Sequence, residues 1–154
     1  MIDKNKKIDI LISALQERYN AQHIIRKRVQ DIGLWTLGIL SATAGWVLTH
    51  EEFFSCENAF IFIGFTILCY ILLRYSYLND LNKGFRSQQK TTVKIEKLLG
   101  FYDSNFFKEE TDSLYPEKWL SSGTDEGEGK FFQTTYYLLY LGFGILIFSI
   151  LFSI

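Results

Sequence analysis

The side chains that could take part in catalysis are few and widely separated in this chain. The two histidines, His23 and His50, lie on either side of the uncharged segment 32–49, so they cannot share a site if that segment crosses a membrane. The sequence contains no HExxH motif, nucleophile elbow, phosphate-binding loop, dinucleotide-binding fingerprint or paired CxxC motif. We therefore expect no catalytic residue, no metal site and no cofactor, and we do not expect an enzyme.

Charged side chains next to the apolar segments offer two further kinds of chemistry. Glu51, Glu52 and Glu57 could hold a cation, although a solvated acidic loop is the interpretation we favour. Arg74 could extend its long stem so that the guanidinium reaches a membrane interface, or it could line a water-filled path and select anions. The apolar segments carry no carboxylate or histidine of the kind that coupled transporters usually have, whereas a channel needs none.

Three apolar helices are predicted to position these groups. The segments 32–49, 59–73 and 131–154 contain no Asp, Glu, Lys or Arg, although the whole chain is 21% charged. At about 1.5 Å per residue, the first segment reaches about 27 Å, close to the roughly 30 Å of bilayer hydrocarbon. The second segment, 59–73, reaches only about 22 Å, so its helix must continue to residue 78 to cross the bilayer. The pattern predicts an all-α integral membrane protein with spans at 32–49, 59–78 and 131–154. Residues 1–31 and 79–130 are then expected to lie outside the bilayer.

The distribution of Lys and Arg predicts the orientation of these spans. Seven of the sixteen precede residue 32, the other nine run from Arg74 to Lys130, and the 50–58 loop has none. Loops rich in Lys and Arg stay on the cytoplasmic side of a membrane. We therefore expect a cytoplasmic amino terminus and a cytoplasmic 79–130 segment, with the carboxyl terminus in the periplasm or outside the cell.

Small residues in the first span are spaced so that they share one helical face. They recur at i, i+3, i+4, i+7 and i+11: Gly38, Ser41, Ala42, Gly45 and Thr49. Such a face lets helix backbones approach closely in a membrane. It could pack inside the chain's own three-helix bundle, or it could join subunits in a homo-oligomer. The other side carries larger side chains that we expect to face lipid: Leu37, Ile39, Leu40 and Val47.

Two amphipathic helices are predicted outside the spans. The apolar positions of the first are Ile8, Leu11, Ile12, Leu15 and Tyr19. Those of the second are Thr91, Ile95, Leu98, Leu99 and Tyr102, and this helix is expected to end at Gly100 or just beyond. Each helix therefore has one face to bury.

The rest of the 79–130 segment contains a short aromatic motif and a linker. Pro116 can open a short helix that presents Trp119 and Leu120, which we predict to be a contact for a cytosolic partner. We expect this segment to pack on the amino-terminal helix or on the membrane surface. The Gly-rich acidic stretch 121–130 is typical of a flexible linker.

Three sequence motifs carry a resemblance to known proteins. ALQERYNAQHIIRKRVQDIGLW leads into the first span, and KTTVKIEKLLGFYDSNFF and LYPEKW follow the second. With them the chain resembles an uncharacterised family of small bacterial membrane proteins with three spans. Its order of elements is also similar to that of the two-span effector domains of nucleotide-signalling antiphage systems, which are proposed to form pores. This chain departs from those domains by its third span.

These observations lead to two functional hypotheses. The first is an oligomeric protein of the bacterial inner membrane that acts as a pore-forming or membrane-perturbing effector, with antiphage defence as a role that the resemblance implies. The second is a membrane anchor or regulatory subunit that recruits a cytosolic protein through 79–130. Both have membrane lipid as a partner, and neither binds nucleic acid.

Overall fold

The computed structural model describes residues 3–50, 55–104, 113–124 and 130–153. These described residues contain four α-helices: Lys4–Thr49 (α1), Cys56–Ile71 (α2), Leu78–Leu98 (α3) and Lys130–Phe152 (α4). A π-helical turn, Leu72–Tyr77, joins α2 to α3, and a 3-10 helix covers Glu117–Ser121. The predictions made for Glu51 and Glu52 and for 125–129 of the linker lie outside the described residues.

In the part of the chain that the structure describes, three helical stretches are long and apolar enough to cross a membrane. They lie within Lys4–Thr49, Cys56–Leu98 and Phe131–Phe152. The prediction of an all-α chain with three long apolar helices that could span a membrane is confirmed. The amino-terminal amphipathic helix and the first span form one uninterrupted helix, because neither Gly nor Pro interrupts the sequence between them until Gly33, which a helix tolerates.

The chain divides into two compact units. The polar unit consists of Met1–Arg26 and Asn82–Glu128, and the apolar unit consists of Lys27–Leu81 and Gly129–Ile154. Helices α1 and α3 each contribute residues to both.

The core of the apolar unit is formed where three helices meet. Ala44 and Val47 of α1, Ala59 of α2, and Leu146 and Ile150 of α4 form one buried cluster. Small side chains at Ala44 and Ala59 let the helices approach, while the larger side chains of α4 fill the space between them. Close packing of these side chains stabilises the contacts between the three helices.

Gly142 of α4 allows a close approach to α1. A Cβ atom at Gly142 would lie 3.0 Å from Leu40 Cδ1 and 3.3 Å from Leu37 Cδ1. Gly33 of α1 has a similar role, since its Cβ would lie 3.1 Å from Thr135 Cγ2. Each glycine therefore leaves space at the α1–α4 contact for a larger side chain of the other helix.

This packing corrects the prediction that Leu37, Leu40 and Val47 face lipid. Val47 is 0% exposed, Leu40 packs against the buried cluster, and Leu37 is half-buried beside Gly142. Only Ile39 of that set is exposed. The prediction was wrong because helical periodicity separates two faces of α1 but does not say which of them α4 covers.

The polar unit joins the first part of α1 to α3 and to the chain that follows α3. Leu15 of α1 and Phe85 and Ile95 of α3 are buried in it. Helix α3 ends just before Gly100, whose φ of 81° lies in the left-handed region that suits glycine at a helix end. The helix thus ends two residues before Gly100, slightly earlier than predicted.

Gly123 fixes the end of residues 113–124, which we call the returning segment. Its φ is 85°, and a Cβ atom there would lie 2.7 Å from the backbone oxygen of Arg86, so only glycine fits. The 3-10 helix before it begins directly after Pro116, as predicted. Residues 113–124 are thereby held against α3.

Candidate functional site

A buried carboxylate lies at the centre of the polar unit. Glu96 of α3 is 5% exposed, and its Oε1 accepts a 2.6 Å hydrogen bond from the Tyr19 hydroxyl of α1. Its Oε2 accepts a 2.7 Å hydrogen bond from the Tyr102 hydroxyl, in the turn after α3. Because a buried carboxylate is costly without hydrogen-bond donors, the two phenols are what allow Glu96 to remain inside.

The hydrogen bonds to Glu96 also act on the two phenols. Burial raises the pKa of Tyr19 above its ordinary value of 10.0, and hydrogen bonds with Glu96 and Tyr115 raise this pKa further. Burial and then the hydrogen bond to Glu96 raise the pKa of Tyr102 in the same way. Both tyrosines are therefore neutral donors throughout the physiological pH range.

Further side-chain hydrogen bonds follow the contact between α1 and α3. Gln22 Nε2 donates to Thr92 Oγ1 at 2.6 Å, and Arg18 donates through a terminal guanidinium nitrogen to Gln88 Oε1 at 2.8 Å. Gln88, Thr92 and Glu96 are spaced four residues apart, which places them on one face of α3. The α1–α3 contact is thus a row of polar pairs with Glu96 at one end.

Aromatic side chains of the returning segment pack beside the Tyr19–Glu96–Tyr102 cluster. The Tyr115 ring lies 5.9 Å from the Tyr102 ring and 5.1 Å from the Trp119 ring, measured between centroids. The Tyr115 hydroxyl also lies 3.3 Å from the Tyr19 hydroxyl. The backbone N–H of Tyr115 donates to the Phe101 carbonyl at 2.9 Å, which holds the segment in place.

Several of these residues line a cavity of about 390 Å³ that is open to the surface. Its walls include Tyr19, Gln22, Arg26, Glu96, Tyr115 and Trp119. The volume lies within the range of small-molecule sites, roughly 300 to 1,000 Å³. Its described lining residues include a carboxylate, a guanidinium, amide and hydroxyl groups, and aromatic rings, a set that suits binding of a polar molecule.

A smaller cavity of about 160 Å³ shares part of this lining. Tyr19, Gln22 and Arg26 line both cavities, and His23 and Phe85 complete the smaller one. Among the described residues, no group of three or more His, Cys, Asp or Glu side chains could hold a metal ion.

Comparisons with protein-family models, curated proteins and solved structures found no match.

The predicted small-residue face of α1 is exposed along its whole length. Gly38, Ser41, Ala42, Gly45 and Thr49 are all exposed. A Cβ atom at Gly38 or at Gly45 would meet no heavy atom within 4 Å among the described residues. The structure therefore does not place this face inside the chain's own bundle, and its role in joining subunits stays a prediction.

Arg74, predicted to lie at an interface or on a path, lies in the π-helical turn. Its guanidinium carbon is 3.5 Å from the centroid of the Tyr136 ring of α4 and 5.5 Å from that of Tyr75. Within the described part of the chain, its Nε atom is buried and has no hydrogen-bond partner. The guanidinium therefore lies within the range of electrostatic attraction by both rings, and it also forms a side-chain hydrogen bond with Tyr140.

Trp119 and Leu120 differ in their surroundings, although the sequence grouped them as one contact. Trp119 is 47% exposed but also lines the larger cavity, whereas Leu120 is 40% exposed on the 3-10 helix. Their use by a partner stays a prediction.

The sequence did not reveal the site around Glu96. In the sequence, Tyr19 and Tyr102 fall at apolar positions of amphipathic helices, and nothing distinguishes Glu96 from an ordinary surface charge. The spacing of Gln88, Thr92 and Glu96 on a helix with an apolar face was the available signal. It did not identify a site, because the donor Tyr19 lies 77 residues from Glu96 in the sequence.

Proposed function

We propose that this chain forms a homo-oligomer in the bacterial inner membrane and acts there as a pore-forming or membrane-perturbing effector. The observation that carries the proposal is the exposed small-residue face of α1, which lies in a stretch apolar enough to cross a membrane. In lipid, a face of Gly, Ser, Ala and Thr favours packing against another helix. In this chain the opposite face of α1 is already covered by α4, as the contacts of Leu37 and Leu40 with Gly142 show.

The proposed orientation places the polar unit in the cytoplasm, where it would receive the signal that controls the membrane part. The distribution of Lys and Arg supports this orientation. The similarity in element order to two-span antiphage effectors supports a role in antiphage defence. Release of a dye from liposomes that contain the purified protein tests the membrane activity. Liposomes that stay sealed at every protein density would contradict it.

The assembly face can be mapped by cysteine crosslinking in membranes. In a background with Cys56 and Cys69 replaced by Ser, Gly45→Cys should form disulfide-linked dimers, because the face would lie against its copy in a neighbouring subunit. Gly64→Cys of α2 is the matched control, since that glycine also has no heavy atom within 4 Å of a Cβ position. Equal crosslinking at both positions would indicate random collision and would remove the support for this face.

A second candidate function is a membrane anchor that recruits a cytosolic protein. The exposure of Trp119 and Leu120 on one short helix favours it. A stoichiometric partner recovered with the wild-type chain and lost with Leu120→Ser would support this function. Leu114→Ser is the control, because Leu114 is equally exposed in the same segment.

A further inference from the structure

The larger cavity of the polar unit is lined by a buried negative charge. Glu96 is 5% exposed, and its two oxygens accept hydrogen bonds of 2.6 Å and 2.7 Å from the hydroxyls of Tyr19 and Tyr102. Among the residues that the structure describes, these phenols are its hydrogen-bond partners, and a neutral phenol stabilises a carboxylate without cancelling its charge. A buried charge without a counter-ion is costly, and a bound cation would lower that cost.

The guanidinium in the described lining lies in a different environment. Arg26 is exposed, whereas Glu96 is buried, and Arg26 has an interaction of its own within the chain. Water screens an exposed charge much more strongly than a buried one. The field inside the cavity is therefore dominated by Glu96, and it favours a positively charged ligand.

Aromatic rings beside Glu96 indicate what kind of cation fits. The rings of Tyr102, Tyr115 and Trp119 follow one another at centroid distances of 5.9 Å and 5.1 Å and line the same cavity. The faces of such rings attract cations, and the rings also offer apolar surface to a hydrocarbon body. This combination suits an organic cation.

Glu96 also has the capacity to accept hydrogen bonds from such a cation. A carboxylate has about four lone-pair sites, and each oxygen of Glu96 accepts one bond from a tyrosine, so positions remain for N–H donors. Hydrogen bonds between an ammonium group and a carboxylate are among the stronger ones in proteins. A primary ammonium group, which has three N–H donors, can use these positions.

We propose that this cavity binds a protonated organic amine, with its ammonium group hydrogen-bonded to Glu96 and its hydrocarbon body against the rings of Tyr115 and Trp119. The volume of about 390 Å³ leaves room for an amine with an aromatic or short aliphatic body. The inference does not depend on the proposed membrane activity, because the described lining lies within the polar unit.

Binding can be tested by calorimetric titration of the full chain in nanodiscs with phenethylamine, which is protonated at neutral pH. Its matched control is phenethyl alcohol, which has the same body and a neutral hydroxyl in place of the ammonium group. Empty nanodiscs correct for partition of either compound into lipid. We expect saturable binding of the amine and at least about tenfold weaker binding of the alcohol, which lacks the charged contact. An amine that shows no saturable binding, or that binds no better than the alcohol, would overturn the proposal.

Two variants separate the charge from the aromatic wall. Glu96→Gln keeps the shape of the side chain and removes its charge, so it should weaken binding of the amine by about tenfold or more. Glu117→Gln is its control, because Glu117 is exposed and does not line the cavity. Unchanged affinity in Glu96→Gln would contradict the proposal.

Trp119→Leu tests the wall without touching the buried cluster. Because Trp119 is 47% exposed, this variant should fold, and the loss of the ring should weaken amine binding by about threefold. Leu114→Ala, which shortens another exposed side chain of the returning segment outside the lining, should leave the affinity unchanged. Equal affinities in Trp119→Leu and Leu114→Ala would show that the amine does not bind against this ring and would overturn the proposed placement.

Discussion

The polar unit and the apolar unit are held together by different interactions. In the polar unit, α1 and α3 meet through hydrogen-bonded pairs, such as Tyr19 with Glu96 and Gln22 with Thr92, around a cavity. In the apolar unit, α1 and α4 meet through the close approach of a glycine and leucines, such as Gly142 with Leu40. The same helix α1 thus uses directional polar contacts in one part and close apolar packing in another.

This difference indicates how each unit tolerates change. A hydrogen-bonded contact fails when one partner is removed, since the other loses its donor or acceptor. A close-packed contact fails when volume is added. Opposite kinds of substitution should therefore destabilise the two units, which can be followed separately by amide hydrogen exchange of α3 and of α4.

The largest effect is expected from removal of the buried carboxylate. Glu96→Ala deletes the acceptor of both tyrosine hydroxyls, and the loss of two hydrogen bonds to a charged group should cost about 3 kcal/mol. Hydrogen exchange should accelerate in α3 within the polar unit and stay unchanged in α4. Glu117→Ala, at an exposed position, should change the stability by less than about 0.5 kcal/mol. Equal effects of the two substitutions would show that the Tyr–Glu cluster does not hold the polar unit.

The next effect tests close packing in the apolar unit. Gly142→Val adds atoms where a Cβ alone would lie 3.0 Å from Leu40, and such overpacking should cost about 2 kcal/mol. Exchange should then accelerate in α4 and not in α3. Gly144→Val makes the same change two residues away, where a Cβ meets nothing within 4 Å. If Gly144→Val destabilises α4 as much, the cost arises from helix propensity rather than from contact with α1.

A smaller effect is expected at Arg74, where a polar group enters the apolar unit. Arg74→Gln removes the cation that lies 3.5 Å from the Tyr136 ring, and the loss should be about 1 kcal/mol. Tyr136→Leu should cost a similar amount. A double variant that costs no more than either single one would demonstrate the pair, whereas additive costs would show that the two side chains act independently.

The smallest effect is the response of the polar unit to alkaline pH. The pKa values of Tyr19 and Tyr102 are raised in the folded chain, so folding favours their protonated forms. The stability that they contribute is fully present below their ordinary pKa of 10.0 and is lost as the pH rises beyond it. Near-UV circular dichroism should show an alkaline transition that Tyr102→Phe reduces. A transition of the same size in Tyr102→Phe would show that Tyr102 does not cause it.

The sequence predicted the helices better than the contacts between them. The charge-free segments identified the three apolar helices, because the length and composition of a stretch that can cross a bilayer are local properties. Pro116 and Gly100 likewise marked a helix start and a helix end through their own backbone preferences. The distinction between the covered and the exposed face of α1 depends on α4, which lies about one hundred residues further along.

The candidate site was the least predictable part of the chain. Glu96 is surrounded by residues from α1, the turn after α3 and the returning segment, and none of their types is unusual by itself. Tyrosine is also ambiguous in a helical pattern, since its ring suits an apolar face and its hydroxyl suits a buried carboxylate. Only the tertiary structure shows that Tyr19 and Tyr102 use both parts.

The most direct test of the proposed assembly is the mass of the full chain in lipid nanodiscs by native mass spectrometry. We expect a closed complex of several identical copies for the wild-type chain. Gly45→Leu should shift it to smaller species, while Gly64→Leu should leave it intact. A wild-type chain that remains monomeric in nanodiscs would contradict the oligomeric account.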